Sequence, residues 1–361
     1  MRIKNLILKN FRNYADESID FKEGLNVLFG KNAQGKTNCA EAVYYLCTGT
    51  SPRAKRDKQL IRLGEEFAEI CATAEGRYGN IEIYAKITEN GREIKVNGNK
   101  ITRNADILGN LYSVFFSPHE LRLIQDGPDE RRRFLNVSIS QLSRPYYIAL
   151  IRYNRILEQR NNLLKDKNLN TVYDLLPVWD EELCKYAATV ARRRADFIEQ
   201  LSPLAAQFHS KLTDGVEVLK ISPEKKYKGS EEELKARLYS ELSNNYDRDI
   251  RLGYTGSGPH RDDIDIEIDG VDAKSFASQG QTRTAALSIK LAEVEIFKEL
   301  SGEYPVLVLD DVMSELDLPR RKKLVELTKN QQTILTCTHA ERVLYGLDAN
   351  KIKIEGGKVK K

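Results

Sequence analysis

The chain has 361 residues, 41% of them hydrophobic and 30% charged, with a net charge of +4 at pH 7. That is the composition of a soluble globular protein long enough for two or three domains, and no apolar run nears the roughly 18 residues of a membrane helix. Five cysteines, odd in number, scattered and without a C-x-x-C pair, argue against disulfides or zinc and for reduced core thiols in the cytoplasm.

Residues 1–9 alternate polar and apolar as a strand does and contain no signal-peptide core. Leu25-Asn26-Val27-Leu28-Phe29 then reads as a buried strand. Directly after it, Gly30-Lys31-Asn32-Ala33-Gln34-Gly35-Lys36-Thr37 fits G-x-x-x-x-G-K-[ST], the phosphate-binding loop. Ala40, Val43, Tyr44 and Leu46 follow at helical spacing, so strand, loop and helix stand in the required order. The two glycines let the backbone curl until its N–H groups face a polyphosphate at a helix N-terminus. Lys36 is expected to meet the β- and γ-phosphates of ATP, and the Thr37 hydroxyl to hold Mg²⁺.

Past this helix, Arg53, Lys55, Arg56 and Lys58 crowd together. Such a cluster is either a solvated face or, beside a nucleotide-driven engine, a set of DNA phosphate contacts. Asn90-Gly91, Asn97-Gly98 and Asp269-Gly270 are type I′ hairpin signals between alternating strands, which predicts an antiparallel sheet beside the nucleotide sheet. Between them the pattern turns helical. Leu150, Leu157 and Leu164 share heptad spacing, as do Leu183, Val190 and Phe197, with a break predicted at Leu175-Leu176-Pro177. Two amphipathic helices of roughly 30 Å would form a self-packed lobe without the reach of a tethering arm.

Toward the end, Pro305-Val306-Leu307-Val308-Leu309-Asp310-Asp311 is a strand apolar on both faces that ends in two carboxylates. Asp310 is the candidate for the magnesium shell; Asp311, pointing the other way, is the candidate to polarise the attacking water. Ser278-Gln279-Gly280-Gln281, opening a helix upstream of this strand, matches the signature motif of ABC-type ATPases. Ser314-Glu315-Leu316-Asp317 resembles their D-loop, and His339, after the strand Thr333-Ile334-Leu335-Thr336-Cys337, matches their switch histidine. The Gln-loop of these ATPases has no match: Ser117-Pro118-His119 follows the expected strand Val114-Phe115-Phe116. In that superfamily ATP lies between the phosphate loop of one subunit and the signature motif of another. The resemblance therefore implies an ATP-dependent homodimer with Ser278, Gln279, Gly280 and Gln281 completing the partner's nucleotide site.

More specifically, the chain resembles the RecF family of bacterial recombination mediators nearly end to end. The resemblance rests on Leu6-Ile7-Leu8-Lys9-Asn10-Phe11-Arg12-Asn13-Tyr14, the phosphate loop, Phe116-Ser117-Pro118 with Gly127-Pro128-Asp129-Glu130-Arg131-Arg132, and Tyr254-Thr255-Gly256-Ser257-Gly258-Pro259-His260. It extends through the signature tetrapeptide and Asp310-Asp311-Val312-Met313-Ser314-Glu315-Leu316-Asp317. It implies an α/β ABC-type head with a mixed central sheet, an antiparallel β subdomain, a helical second lobe and no long coiled coil. Residues 1–118 and 251–361 would form the ATPase and 119–250 the helical lobe. It further implies a cytoplasmic, membrane-independent protein that dimerises on ATP, binds duplex DNA near single-strand gaps and works with RecR, RecO and RecA. Hydrolysis would be slow and serve release. Arg12 is, by the same likeness to SMC heads, a ribose or γ-phosphate contact, or else an ordinary strand-end arginine. The competing readings are an SMC-like structural head, an ABC-type subunit acting on another partner, and a small-molecule kinase, which would have no use for a signature motif.

Overall fold

The computed structural model describes residues 1–225, 227–340 and 348–360, and for Glu315 the backbone only. The chain opens with β1 (Arg2–Phe11), β2 (Tyr14–Asp20), β3 (Leu25–Phe29) and the helix α1 (Lys36–Thr48). Four strands follow, β4 (Phe67–Gly76), β5 (Gly79–Thr88), β6 (Gly91–Val96) and β7 (Asn99–Ile101), then the wholly buried β8 (Ser113–Phe116). Helices α2 (Arg122–Gln125), α3 (Pro128–Leu142), α4 (Arg144–Leu163) and α5 (Leu169–Thr213) come next. After β9 (Leu219–Pro223) stand α6 (Glu231–Ser243), α7 (Tyr246–Leu252), β10 (Ile264–Ile268), β11 (Val271–Asp272) and α8 (Ala273–Phe276). The chain continues through α9 (Gln279–Ser301), β12 (Val306–Asp310), α10 (Leu318–Leu327), β13 (Thr333–Cys337), β14 (Asn350–Glu355) and β15 (Lys358–Lys360).

Two compact units result. The first comprises Met1–Leu121, Leu204–Val218 and Ser278–Lys361 and carries two six-stranded sheets. One is antiparallel in the order β2-β1-β4-β5-β6-β7; the other runs β15-β14-β3-β13-β12-β8, parallel except for the β15 edge. Its central strands β12 and β13 are buried at every position because both faces are covered, as parallel strands require. The helix α1 touches β4 and β5 of the first sheet and β8, β12 and β13 of the second, which leaves Cys39 through Cys47 buried on all sides.

The second unit comprises Arg122–Pro203 and Leu219–Ala277. Here the expected boundaries shift. Residues 251–277, assigned from sequence to the ATPase, belong to this unit because β10 pairs with β9, Ile266 opposite Ile221, in a three-stranded sheet of its own. The Asp269-Gly270 turn closes that small sheet, not the sheet beside the nucleotide strands. It is a true type I′ turn, φ 52° and 79°, as is Asn97-Gly98 at 49° and 77°. At Asn90-Gly91 the hairpin turns one residue early: Thr88 pairs with Gly91, so Glu89-Asn90 forms the bend.

The helical break also moves. The chain leaves α4 after Leu163 and restarts at Leu169, and α5 then runs 45 residues straight through Pro177 and Pro203. Pro177 is exposed between buried Leu176 and buried Asp180, and Tyr173, whose carbonyl loses its helical partner, is exposed as well, so the missing bond falls on the face that meets water. The real turn is polar, with Asp166 accepting the Asn168 N–H at 2.9 Å, and is closed by a cluster of Leu164, Val172 and Leu176.

Candidate nucleotide site

The phosphate loop connects β3 to α1 in a backbone conformation that depends on glycine at both ends. Gly30 has φ 150°, and a Cβ there would collide with the Ile354 carbonyl of neighbouring β14; Gly35, φ 119°, would press on the Asn13 side chain at 2.9 Å. The loop is held from outside as well. Asn13 donates to the Gln34 carbonyl at 2.9 Å, Tyr14 to the Gly35 carbonyl at 3.0 Å, and the Gly357 N–H to the Gln34 carbonyl at 2.9 Å. Residues 31–33 are exposed at its crest, and the first N–H groups of α1 have no partner within the helix.

Lys36 lies along the loop and donates to the carbonyls of Gly30 at 2.7 Å and Lys31 at 2.8 Å. Burial pulls its ammonium below the ordinary lysine value, against the pull of the Asp311 and Asp310 charges. Thr37 donates to Asp310 Oδ1 at 2.9 Å, which brings the two expected metal-binding residues together across 273 positions of sequence. Thr336 donates to the same oxygen at 2.7 Å and accepts the Asp311 N–H at 3.0 Å. The register explains this: Asp310 pairs with Thr336 at the ends of β12 and β13. Burial pushes the Asp310 carboxyl up, and the bonds from Thr336 and Thr37 and the charge of Arg53 hold it back. Asp311 is exposed and adopts φ 55°, a left-handed conformation uncommon outside glycine.

Ser278 caps α9 with a reciprocal capping box: its hydroxyl accepts the Gln281 N–H at 3.2 Å while Gln281 Oε1 accepts the Ser278 N–H at 2.9 Å. Ser278, Gln279 and Gly280 are exposed, and none of the four bonds to residues 30–37 among the described residues. His339 is exposed just past β13.

Arg12, read from sequence as a nucleotide contact or an ordinary strand-end arginine, is engaged with α1. With φ 56° it turns back on α1 and makes a two-pronged pair with Glu41, Nε and Nη2 at 2.9 and 2.8 Å, while Nη1 donates to the Gln59 carbonyl. Arg53 joins it, donating to Glu41 at 2.5 Å and to Asn38 at 2.7 Å. Burial alone would raise the Glu41 carboxyl, but the bonds from Arg12 and Ser51 and the Arg53 charge outweigh it and hold the group below its usual range. Of the four basic residues assigned to DNA, Arg53 is thus engaged inward. Lys58 faces Glu89 at 3.5 Å, and Lys55 and Arg56 are exposed without an ion pair among the described residues.

Glu41, Thr336 and the Gly356-Gly357 turn are the parts of the site that sequence reasoning missed. Glu41 had a signal, a lone carboxylate in the apolar run from Cys39 to Cys47. Thr336 and the glycine pair had none, since their roles follow from strand order.

A phosphate loop on β3 and a carboxylate pair on β12, one strand removed in a parallel sheet that also receives a capped signature helix, is the arrangement of an ABC-type ATPase head. The Smc head domain from Pyrococcus furiosus shares the fold, with a TM-score of 0.60 at 18% identity over 100% of this chain and 96% of that one. The family model described as RecF/RecN/SMC N terminal domain matches residues 2–357. Within that class the chain belongs to the RecF family. It is 40% identical to the DNA replication and repair protein RecF of Clostridium acetobutylicum, covering 99% of both chains. Against that of Lachnoclostridium phytofermentans it is 41% identical over 94% of each. A solved structure described as the recombination mediator protein RecF with ATP in the RecFOR pathway superposes with a TM-score of 0.90 at 34% identity, over 99% of this chain and 97% of that one.

Proposed function

We propose that the protein binds ATP at the loop of residues 30–37, closes on a second copy of itself, and uses that closure to hold DNA during replication and repair. The observation that carries this reading is the convergence of Lys36, Thr37, Asp310 and Thr336 at the C-terminal ends of the adjoining strands β3, β13 and β12. An exposed loop crest at a helix N-terminus, a buried ammonium and a buried carboxylate with a hydroxyl beside it are a donor set suited to a polyphosphate and a divalent cation. Mg²⁺, when bound, supplies charge neutralisation to the phosphates. Thr37 and Asp310 would hold it; Lys36 leaves its loop carbonyls for the phosphates; Asp311 orients water. The names of the relatives and the ATP in the solved neighbour's description support the ligand and the process.

The signature residues stand exposed and capped, which suits a role on a second copy's nucleotide. His339 senses the γ-phosphate in the same closed state. Lys55, Arg56 and Lys58 contact duplex phosphates beside a single-strand gap, giving affinity that falls with salt. RecR, RecO and RecA are the partners of this reading, in the cytoplasm, and slow hydrolysis releases the dimer. Among the described residues no helix is long and apolar enough to cross a membrane.

Sedimentation with ADP, with ATP and with a non-hydrolysable ATP analogue, each with and without duplex DNA, tests the reading. A monomer that dimerises with triphosphate alone, more readily on DNA, and fails to do so as Lys36→Ala is the expected result. A monomer under every condition would remove the shared nucleotide site and the DNA clamp with it.

A further inference from the structure

The loop between α7 and β10 carries chemistry that nucleotide hydrolysis does not use. It is braced from beneath by buried polar groups. Arg160, fully buried, donates to Asp180 at 2.6 Å and to Asp249 and the Thr255 hydroxyl at 2.8 Å each. Asn161 accepts both the N–H and the hydroxyl of Thr255 at 2.7 Å, Asp249 accepts the Gly256 N–H at 3.0 Å, and Arg194 donates to the Pro259 carbonyl at 2.6 Å. His260 closes the loop. Its Nε2 lies 3.0 Å from the Thr255 carbonyl, which can only accept, so Nε2 carries the proton and Nδ1 accepts from the Tyr153 hydroxyl at 2.5 Å.

On the solvent side of this rigid base stands a different set of groups. Tyr254 is 41% exposed. The Arg261 guanidinium lies over its ring, 4.9 Å from the centroid. Arg248 on α7 leans on the same loop, its Cζ 3.8 Å from where a Cβ on Gly256 would stand, and Arg251 is exposed one turn further on. None of these three arginines forms an ion pair among the described residues. The nearest carboxylates of α7 are engaged elsewhere: Asp247 accepts from the Tyr173 hydroxyl at 2.6 Å, and Asp249 is buried against Arg160.

We infer that this surface binds single-stranded nucleic acid, with phosphates on Arg248, Arg251 and Arg261 and a base stacked on Tyr254. An exposed aromatic ring backed by a guanidinium and ringed by uncommitted cations matches the repeating base-and-phosphate unit of a single strand. A duplex keeps its base faces inside the stack and offers such a ring nothing. The inference rests on the DNA reading above and deepens it, assigning the single-stranded side of a gap to the second unit. Preorganisation is what the buried network contributes, since a loop fixed in advance loses little freedom on binding.

The test is fluorescence anisotropy of a labelled oligothymidine and of a blunt duplex with the full-length protein. Tyr254→Ala is expected to weaken oligothymidine binding by roughly 5- to 100-fold, from the stacking contribution of one base, and to leave duplex binding unchanged. Tyr254→Phe should bind as wild type. Arg248→Ala and Arg261→Ala should each lower the salt slope for the single strand by about 0.7. A wild-type melting temperature for Tyr254→Ala would show that the fold is intact. If that variant bound oligothymidine as wild type does, or lost both forms equally, the inference would fall while the DNA reading stood. A wild-type protein that bound neither form would overturn both.

Discussion

At the scale of single residues the nucleotide site is organised by groups that never touch a phosphate. Thr336 is the clearest case, because one hydroxyl orients Asp310 and fixes the backbone of strained Asp311. Thr336→Val keeps the shape and leaves the buried Asp310 oxygen one donor short. Stability should fall by about 1–3 kcal/mol, measured as a lower urea midpoint, and Mg²⁺ should bind more weakly in a titration with ATP present. An unchanged midpoint would show that Thr336 is a bystander. Glu41 is fully buried and accepts four hydrogen bonds, two from Arg12 and one each from Arg53 and Ser51. In Glu41→Gln both guanidinium groups lose their counter-charge, but each reaches water, so the expected loss is about 1–3 kcal/mol, below that of a wholly buried pair. Thermal unfolding checks it.

At the scale of elements, the His260 loop makes stability depend on pH. Burial, together with the charges of Arg261, Arg132 and Arg160, lowers the His260 pKa from its ordinary 6.5 to about 4, against a raising contribution from the Thr255 carbonyl. The sign follows from which state takes the proton first. The unfolded chain does, so the stabilisation is complete above pH 6.5 and is lost as pH falls toward 4. The drop should be about 3 kcal/mol over that window, and His260→Gln should flatten it; an equally steep melting-temperature profile in that variant would contradict the assignment. Elements also show how far a sequence can be read. The strand–loop–helix unit of β3 and α1 was legible because its signals are local: an apolar run, two glycines at fixed offsets and a helical period. The break expected at Pro177 was misplaced because packing of buried Leu176, Asp180 and Leu183 carries α5 through an exposed proline, and which positions are buried is set by the tertiary structure.

At the scale of the whole molecule, the separation of roles between Lys36 and Ser278 makes a further prediction. Ser278 is exposed and bonded only within its own cap. Ser278→Arg should therefore bind ATP as a monomer almost as the wild type does, while ATPase activity loses its dependence on protein concentration and falls to a small residue. Equilibrium dialysis and a concentration series of hydrolysis rates read the two quantities separately. If ATP affinity fell along with turnover, the signature residues would serve their own subunit's site, and the shared-site mechanism would not hold.

By itself the sequence determined the class of engine: the phosphate loop, the acidic strand end and the signature helix are each written in contiguous residues whose chemistry depends on local backbone. It also carried the family likeness, which the relatives bear out. Only the tertiary structure decided which side chains meet. Strand order β3-β13-β12 put Thr336 on Asp310, and the left-handed turn at Arg12 sent that arginine to Glu41. Pairing of β10 with β9 moved residues 251–277 into the second unit, where the Tyr254 and Arg261 pair sits on its buried polar base. Contacts of this kind join residues far apart in the chain, and their choice is made by burial and hydrogen-bond satisfaction across the whole fold, quantities that no local window of sequence contains.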